Sequence, residues 1–152
     1  MLSTEITGVV EGWTLLSHVS KFVSIIDDER DITELFRDAL QSLPGLSIFT
    51  FTDPTIALEH FKINKRFYAL VISDLRMPVM NGIQLITRVK DINHSVRAIL
   101  MTAFDVDDKL FQEYSKKEII NGFAQKSVNL QTLVHEVSDQ LHSYEMQKIS
   151  AS

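Results

Sequence analysis

The stretch "ALVISDLRMPVMNG", residues 69–82, decides the fold. Its first five residues form a short, mostly apolar run, which is typical of a strand buried on both faces of a sheet. The run ends directly in Asp74, and Met77-Pro78 and Asn81-Gly82 then interrupt the chain before a helical pattern begins. A buried strand that ends in a carboxylate raises the question of whether other strands also end in reactive groups.

Short apolar runs and amphipathic helical patterns alternate from Lys21 onward. The predicted strands are 22–26, 46–52, 69–73, 96–101 and 118–125. The predicted helices are one that stops at Pro44-Gly45, one opened by Asp53-Pro54, one opened by Asn81-Gly82, a weaker one over 105–116 and a last one from near Asn129. This order predicts an α/β fold: a five-stranded parallel sheet, doubly wound, in a flavodoxin-like (βα)5 three-layer sandwich.

Polar side chains follow four of these five strands. They are Asp27, Asp28, Asp74, Thr102 and Lys126. Because right-handed crossovers bring the carboxyl ends of parallel strands to one edge, we expect these side chains to lie close together. Neighbouring carboxylates repel one another and need an opposite charge to stay ionised. The sequence therefore predicts a divalent cation at this edge, with Lys126 as a second source of positive charge.

The predicted edge also carries the groups that phosphoryl transfer requires. Mg²⁺ in proteins takes one or two carboxylates, keeps water and shares its remaining positions with a phosphate. A phosphoryl group needs a positive partner and a hydroxyl donor, which Lys126 and Thr102 supply. Aspartate is a covalent nucleophile in such chemistry. We interpret the edge as a site that transfers a phosphoryl group onto a carboxylate oxygen.

Composition narrows the class of protein. The chain has 152 residues, of which 45% are apolar and 23% charged, which suits one domain with a core of its own. The net charge of −5 argues against nucleic acid as a direct ligand. No stretch approaches the roughly 20 apolar residues of a membrane span, and no secretory signal is recognisable. The sequence has no cysteine, so thiolate chemistry is excluded and a reducing cytoplasm is expected.

Four motifs resemble the receiver domain of two-component response regulators, especially the stand-alone type similar to the chemotaxis regulator. "VSIIDDE" resembles the acidic pair of that family, and "VISDLRMPVMNG" resembles its phosphoacceptor segment. "AILMTAF" resembles the segment with the switch threonine, and "GFAQK" the segment with the switch aromatic residue and the lysine. The resemblance covers about residues 21–145.

The resemblance implies a role for each site residue. Asp74 is the phosphoacceptor and also a ligand of Mg²⁺, Asp28 is a direct Mg²⁺ ligand, and Asp27 acts mainly through water and Lys126. The remaining implied assignments are the backbone carbonyl of Arg76 as a further metal ligand, Thr102, Ala103 and Lys126 as contacts of the phosphoryl group, and Phe123 as the aromatic switch. Phe123 lacks the hydroxyl of the tyrosine often found there, so packing alone would hold it inward.

One residue departs from the family pattern. A proline after a cis peptide usually follows the lysine, whereas Ser127 follows Lys126 here. A cis bond before serine costs roughly 2.5–4 kcal/mol, against about 0.5–1 kcal/mol before proline. We therefore expect a trans bond or an altered loop at this point.

Three functions compete. The first is a switch driven by phosphorylation, which catalyses only its own phosphorylation and dephosphorylation. The second is a phosphohydrolase of the haloacid dehalogenase type, which needs a second aspartate two residues after the nucleophile; Arg76 stands there and speaks against it. The third is a receiver-like module that binds protein partners without phosphate, which the intact set of site residues disfavours and Ser127 leaves open.

The expected organisation is an N-terminal extension over 1–20, a receiver domain over 21–146 and a tail over 147–152. The resemblance implies two partners: a sensor histidine kinase or phosphotransfer protein, and a downstream target. The target would bind the face made by the fourth predicted helix, the fifth strand and the last helix, and a homodimer stays open. The kinase, the target and the role of the extension are not encoded in any recognisable motif.

Overall fold

The computed structural model describes residues 20–103, 113, 116, 118–126 and 129–151. Within them, five parallel strands form one sheet in the order β2-β1-β3-β4-β5. The strands are β1 (Lys21–Ile26), β2 (Leu46–Phe51), β3 (Tyr68–Asp74), β4 (Arg97–Thr102) and β5 (Gly122–Gln125). The strand order reverses between β1 and β3, which is the switch point where ligands bind in open α/β sheets.

Helices cover both faces of the sheet. They are α1 (Arg30–Leu40), α2 (Pro54–Asn64), α3 (Gly82–Ile92) and α4 (Leu130–Ala151). Helices α1 and α4 pack on one face, and α2 and α3 pack on the other. The predicted doubly wound, flavodoxin-like fold is confirmed.

The central strand β3 organises the core. All seven of its residues are buried. Leu70 and Ile72 face α1 and α4, while Val71 faces α2 and α3, because successive side chains of a strand point to opposite faces. The unbroken apolar run of the sequence is thus explained by helices on both sides, and Asp74 is the last residue of this most protected strand.

Two predicted helix starts are confirmed by their caps. The Asp53 side chain accepts a hydrogen bond from the amide of Thr55 (2.9 Å), and Pro54 is the first residue of α2. Asn81 and Gln84 form a reciprocal capping box at the start of α3, with bonds of 2.8 and 2.9 Å. The second cap matters for the site, because it fixes the start of α3 shortly after Asp74 in the chain.

The predicted start of the fifth strand at Glu118 is wrong. The strand β5 begins at Gly122, and Glu118 has a φ of +57°, in the left-handed region. The Asn121 side-chain oxygen accepts a hydrogen bond from the amide of Ala98 (2.9 Å), a group on β4 that a longer β5 would otherwise pair. The Asn121 side chain therefore takes the place of a further backbone hydrogen bond, in a segment that the sequence pattern predicted as strand.

Two helices show features that the sequence pattern does not reveal. In α2, Ile56 is 58% exposed, while Ala57, Leu58 and Phe61 face the core. Helix α4 runs to Ala151 and so includes most of residues 147–152. Its last turns are held by tertiary contacts: Tyr144 is buried, and Gln147 donates to the carbonyl of Ser95 (3.0 Å).

Several expectations fall on residues outside the described part of the chain. These are the extension over residues 1–19, the peptide bond before Ser127 and most of the predicted helix over 105–116, of which Glu113 and Lys116 are described and helical. The division into extension, receiver domain and tail stays a prediction.

The loop between β3 and α3 contains a strained residue. Val79 has a φ of +73°, and the amide of Met80 donates to the carbonyl of Pro78 (2.8 Å), which together make a γ-turn with positive φ. This conformation is unfavourable for a β-branched residue. The turn directs Met80 into the core between α2 and α3, while the Val79 side chain itself is 90% exposed.

We predict that Val79→Gly raises the free energy of unfolding by about 1 kcal/mol, because glycine adopts positive φ without a Cβ clash and the exposed valine side chain adds little packing there. Urea unfolding of the two proteins measures the difference. The matched control is Val79→Ala, which removes the β-branch but keeps the Cβ and should gain less. A Val79→Gly protein no more stable than Val79→Ala would contradict the strain at this turn.

Candidate functional site

The carboxyl edge of the sheet gathers the charged residues named from the sequence. Asp27 directly follows β1, Asp74 ends β3, Thr102 ends β4 and Lys126 directly follows β5. The Lys126 ammonium nitrogen lies 2.9 Å from Asp27 Oδ2 and 3.2 Å from Asp74 Oδ2. One cation thus bridges carboxylates from two adjacent strands.

A third carboxylate, which the sequence argument did not select, also contacts the lysine. Glu29 Oε1 lies 3.2 Å from Lys126 Nζ, although most of the Glu29 side chain is exposed. The available signal was the third acidic residue of "DDE". A surface glutamate directly before a helix is so common that its position alone could not identify it as part of a site.

Asp27 is fully buried, and its two oxygens have different surroundings. Oδ1 accepts a hydrogen bond from the amide of Glu29 (2.9 Å). Oδ2 lies 2.9 Å from the Lys126 ammonium nitrogen. Burial raises the pKa of Asp27 to about 6, while the Glu29 amide and Lys126 act in the opposite direction. A buried carboxylate of this kind needs an opposite charge beside it, which Lys126 supplies.

Asp74 is 4% exposed and shares the same environment. Burial raises the pKa of Asp74, and the nearby charge of Asp28 adds to that effect. The Lys126 ammonium and a hydrogen bond from the Arg76 amide oppose it. Burial by itself would lower the pKa of Lys126, but the bonds to Asp27, Asp74 and Glu29 outweigh burial and raise it. Lys126 is therefore a permanent cation.

The acidic cluster fits a hard divalent cation. Asp27, Asp28 and Glu29 each offer a carboxylate oxygen, and these oxygens lie within 4.8 Å of one another. Oxygen ligands of this kind suit Mg²⁺, which binds through one or two carboxylates and retains water. The predicted set contained Asp74 instead of Glu29, and in the structure Asp74 is joined to Asp27 through Lys126. The predicted ligand role of the Arg76 carbonyl stays a prediction.

The remaining predicted residues lie on β4 and β5. Thr102 is buried, and its carbonyl accepts a hydrogen bond from the Lys126 amide (2.8 Å). Ala103 follows it and is exposed. Phe123 is half-buried and packs against a small cluster formed by Ile86, Ala98, Leu100 and Ile120. The roles of these residues in binding a phosphoryl group or in switching stay predictions.

Gly82 brings the start of α3 against the backbone of Asp74. A Cβ at this position would lie 2.2 Å from the carbonyl oxygen of Asp74 and 2.9 Å from Leu100 Cδ1. The Gly82 amide also donates to the carbonyl of Leu75 (2.9 Å). The glycine therefore sets the distance between α3 and the strand end that carries Asp74.

The family of the chain is decided by one match. The family model of the response regulator receiver domain matches residues 23–138. The chain belongs to the response regulator receiver family. The matched range also covers every described site residue, from Asp27 to Lys126.

Two relatives differ in the share of their length that matches this chain. The chain is 30% identical over 86 residues to a protein-glutamate methylesterase/protein-glutamine glutaminase of Desulfotalea psychrophila, covering 56% of this chain and 23% of that protein. It is 29% identical over 102 residues to sporulation initiation phosphotransferase F of Bacillus subtilis, covering 67% of this chain and 79% of that protein. The matched part is thus a small share of the methylesterase and most of the phosphotransferase.

A solved structure shows the same fold. The receiver is similar to the CheX–CheY complex of Borrelia burgdorferi with BeF3 and Mg²⁺, at a TM-score of 0.71 and 19% identity, covering 82% of this chain and 92% of that one. At this identity the likeness carries the fold alone. Among the described residues of the receiver, no helix combines the length and apolarity needed to cross a membrane.

We predict that Gly82→Ala lowers the free energy of unfolding by about 1–3 kcal/mol, because the added methyl must displace the Asp74 carbonyl. Urea unfolding measures the loss, and the backbone amide resonances of residues 74 and 75 should shift. Gly45→Asn is the control: Gly45 has a φ of +74°, which asparagine tolerates, and a Cβ added there would meet no atom within 4 Å. Equal stability of Gly82→Ala and the wild type would contradict the close approach.

Magnesium should stabilise the folded protein in a pH-dependent way. The pKa of Asp27 is raised to about 6, so this carboxyl binds its proton more tightly in the folded protein than in the unfolded chain. Its ionisation therefore destabilises the metal-free folded protein above pH 6, and this destabilisation decreases as the pH falls towards 5. Mg²⁺ needs the ionised form. We predict a gain of about 2.7 kcal/mol at pH 7.5 with Mg²⁺ at roughly 100 times its Kd, and a much smaller gain at pH 5.

Unfolding curves with and without Mg²⁺ at the two pH values test this prediction. Asp27→Asn should remove most of the gain at pH 7.5, whereas Asp53→Asn, which alters an exposed helix cap far from the cluster in sequence, should leave it intact. A gain that is the same at both pH values would show that Asp27 does not take part in holding the ion.

Proposed function

We propose that this receiver accepts a phosphoryl group on Asp74, with Mg²⁺, from a phosphohistidine of a sensor histidine kinase or phosphotransfer protein. The observation that carries the proposal is the position of Asp74: its carboxylate ends the most buried strand and lies 3.2 Å from the ammonium of Lys126, beside the acidic cluster. A carboxylate used only as a surface charge or helix cap has no need of such a position.

The proposed reaction is a displacement at phosphorus. An oxygen of ionised Asp74 attacks the phosphorus of the phosphohistidine, and an acyl phosphate forms. The P–N bond breaks, and its electron pair stays on the imidazole nitrogen of the donor. A shallow groove of about 580 Å³, lined by Leu75, Arg76, Met77, Pro78 and Asn81, lies beside the chain that follows Asp74.

The surrounding residues would hold and neutralise the transferred group. Asp27, Asp28 and the Arg76 carbonyl would hold Mg²⁺, with Glu29 close enough to take part. Bound Mg²⁺ supplies positive charge that stabilises the phosphoryl oxygens as charge develops on them. Lys126 contributes its ammonium, and Thr102 and Ala103 contribute the hydroxyl and an amide as hydrogen-bond donors. The lysine is already in contact with the nucleophile, so little reorganisation is required.

Phosphorylation would then shift a two-state element. Thr102 would move toward the phosphoryl group, and the half-buried Phe123 would turn further inward, which changes the face of β5 and α4 that a target protein binds. A ligand can shift such an equilibrium only through contacts that differ between the two states. The contacts of Thr102 and Lys126 with the phosphoryl oxygens would provide that difference.

Two features of relatives support the proposal. The Bacillus subtilis relative is named a phosphotransferase, and the Borrelia burgdorferi CheY is in complex with BeF3, Mg²⁺ and CheX. In this proposal the chain is a cytoplasmic signalling protein whose only catalysis is its own phosphorylation and dephosphorylation. Hydrolysis of a separate phosphate ester is disfavoured, because Arg76 stands where a second aspartate would be required.

The intact mass of the protein after incubation with Mg²⁺ and acetyl phosphate tests the proposal. We predict the addition of one phosphoryl group to the wild type and none to Asp74→Asn or to wild type treated with EDTA. Asp53→Asn serves as the matched control and should be phosphorylated like the wild type. If neither a phosphoryl adduct nor a fluoroberyllate complex forms in the wild type, the receiver acts as a phosphate-independent binding module and the proposal is wrong.

A further inference from the structure

Asn121 is an unusually well-held residue outside the site. Four hydrogen bonds fix it: its side-chain oxygen accepts from Lys90 Nζ (2.7 Å) and from the Ala98 amide (2.9 Å), its own amide donates to the Ala98 carbonyl (2.9 Å), and its carbonyl accepts from Gln140 Nε2 (3.0 Å). The partners belong to α3, β4 and α4. One residue thus joins three elements at the point where β5 begins.

The strand β5 is short and carries site residues at its far end. It spans Gly122–Gln125, with Phe123 inside it and Lys126 directly after it. Four residues of strand extend over about 13 Å and join Asn121 to Lys126. The ladder with β4 fixes the register, but it ends at Ile99 and Gly122, and Asn121 continues it with a side chain.

Helix α3 connects the two ends of this arrangement. Its first residue, Gly82, lies against the Asp74 carbonyl, and Lys90, two turns later, donates to Asn121. The structure therefore contains a closed path: Asp74, α3, Lys90, Asn121, β5 and Lys126, which returns to Asp74 at 3.2 Å. The links from Lys90 to Asn121 and from Lys126 to Asp74 are direct contacts of 2.7 and 3.2 Å.

The charge of Lys90 strengthens its link. Burial and the neighbouring Arg97 lower the pKa of Lys90 to about 8, against the opposing effect of Glu118, so the amine is mostly protonated at neutral pH. A hydrogen bond with a charged donor is worth more than one between neutral groups, and loss of the acceptor would leave a half-buried ammonium without this partner.

We propose that Asn121 is a positioning residue for the phosphoryl site: by holding the start of β5 against β4 and α3, it sets the position of Lys126 relative to Asp74. The inference rests on the proposed function, because the position of the lysine matters only if Asp74 receives a phosphoryl group. The competing interpretation is that Asn121 serves stability alone.

Fluoroberyllate binding separates the two interpretations. The affinity of each folded protein for fluoroberyllate with Mg²⁺ is measured by ¹⁹F NMR, and its stability by urea unfolding. The variants are Asn121→Ala, which removes the acceptor; Asn121→Asp, which keeps it; and Lys90→Met, which removes only the link to α3. Asn64→Ala is the matched control, since it deletes a side-chain bond to the His60 carbonyl at the end of α2.

We expect Asn121→Ala to bind fluoroberyllate about tenfold more weakly, because Lys126 is then no longer held in place beside Asp74 and part of the binding free energy is used to position it. Asn121→Asp should restore the affinity to near the wild-type value, and Asn64→Ala should keep it. If Asn121→Ala does not fold, Lys90→Met carries the test, with an expected weakening of at least about threefold.

Three results would overturn the inference. Asn121→Ala or Lys90→Met with wild-type affinity and reduced stability would show a structural role alone. Asn121→Asp as weak as Asn121→Ala would show that the acceptor oxygen is not what matters. A wild-type protein that does not bind fluoroberyllate with Mg²⁺ would contradict the proposed function, and this inference with it. That result comes from the wild type alone, so it is distinguishable from a failure of the inference.

Discussion

Two buried carboxylates that share one lysine are the constraint on which the rest of the structure depends. Asp27 directly follows β1 and Asp74 ends the adjacent strand β3, and burial raises the pKa of each. Charges in such a place are destabilising unless an opposite charge lies within contact distance. Lys126 supplies that charge to both. The lysine reaches them because β5 lies next to β4 at the edge of the sheet and the Lys126 amide donates to the Thr102 carbonyl.

The fold supports this site from two directions. The loop after Asp74 turns sharply at Val79, places Met80 in the core and leads into the capping box of α3, so Asp74 is fixed by the chain that follows it. On the other side, Asn121 anchors β5 before it reaches the lysine. The strained valine is consistent with this view, since left-handed conformations persist where the surrounding structure determines them.

Local sequence signals predicted most of the fold because they are determined by nearby residues. The Asp53-Pro54 and Asn81-Gly82 helix starts depend on caps within three residues, and the strand of residues 69–73 shows its burial in its own composition. The site residues could be named for the same reason, since the ends of parallel strands meet by topology.

The errors arose where contacts distant in sequence decide the outcome. Residues 118–121 have a strand-like composition, but the side chain of Asn121 replaces the ladder by bonding to Ala98, 23 residues away. The last turns of α4 are polar and resemble a tail, but Glu145 pairs with Lys21 (2.8 Å) and Tyr144 is buried. Glu29 could not be assigned to the site because its role depends on Lys126, which is brought to it only by the folded sheet.

The central claim is that Asp74 is the residue that becomes an acyl phosphate. Borohydride reduction converts a phosphorylated aspartate to homoserine and leaves free aspartate unchanged, so peptide mass spectrometry after treatment with a phosphodonor and borohydride locates the modified residue. The account predicts homoserine at position 74 and nowhere else in the chain. Homoserine at position 27 or 28 instead, with Asp74 unmodified, would contradict the assignment of nucleophile and metal ligands.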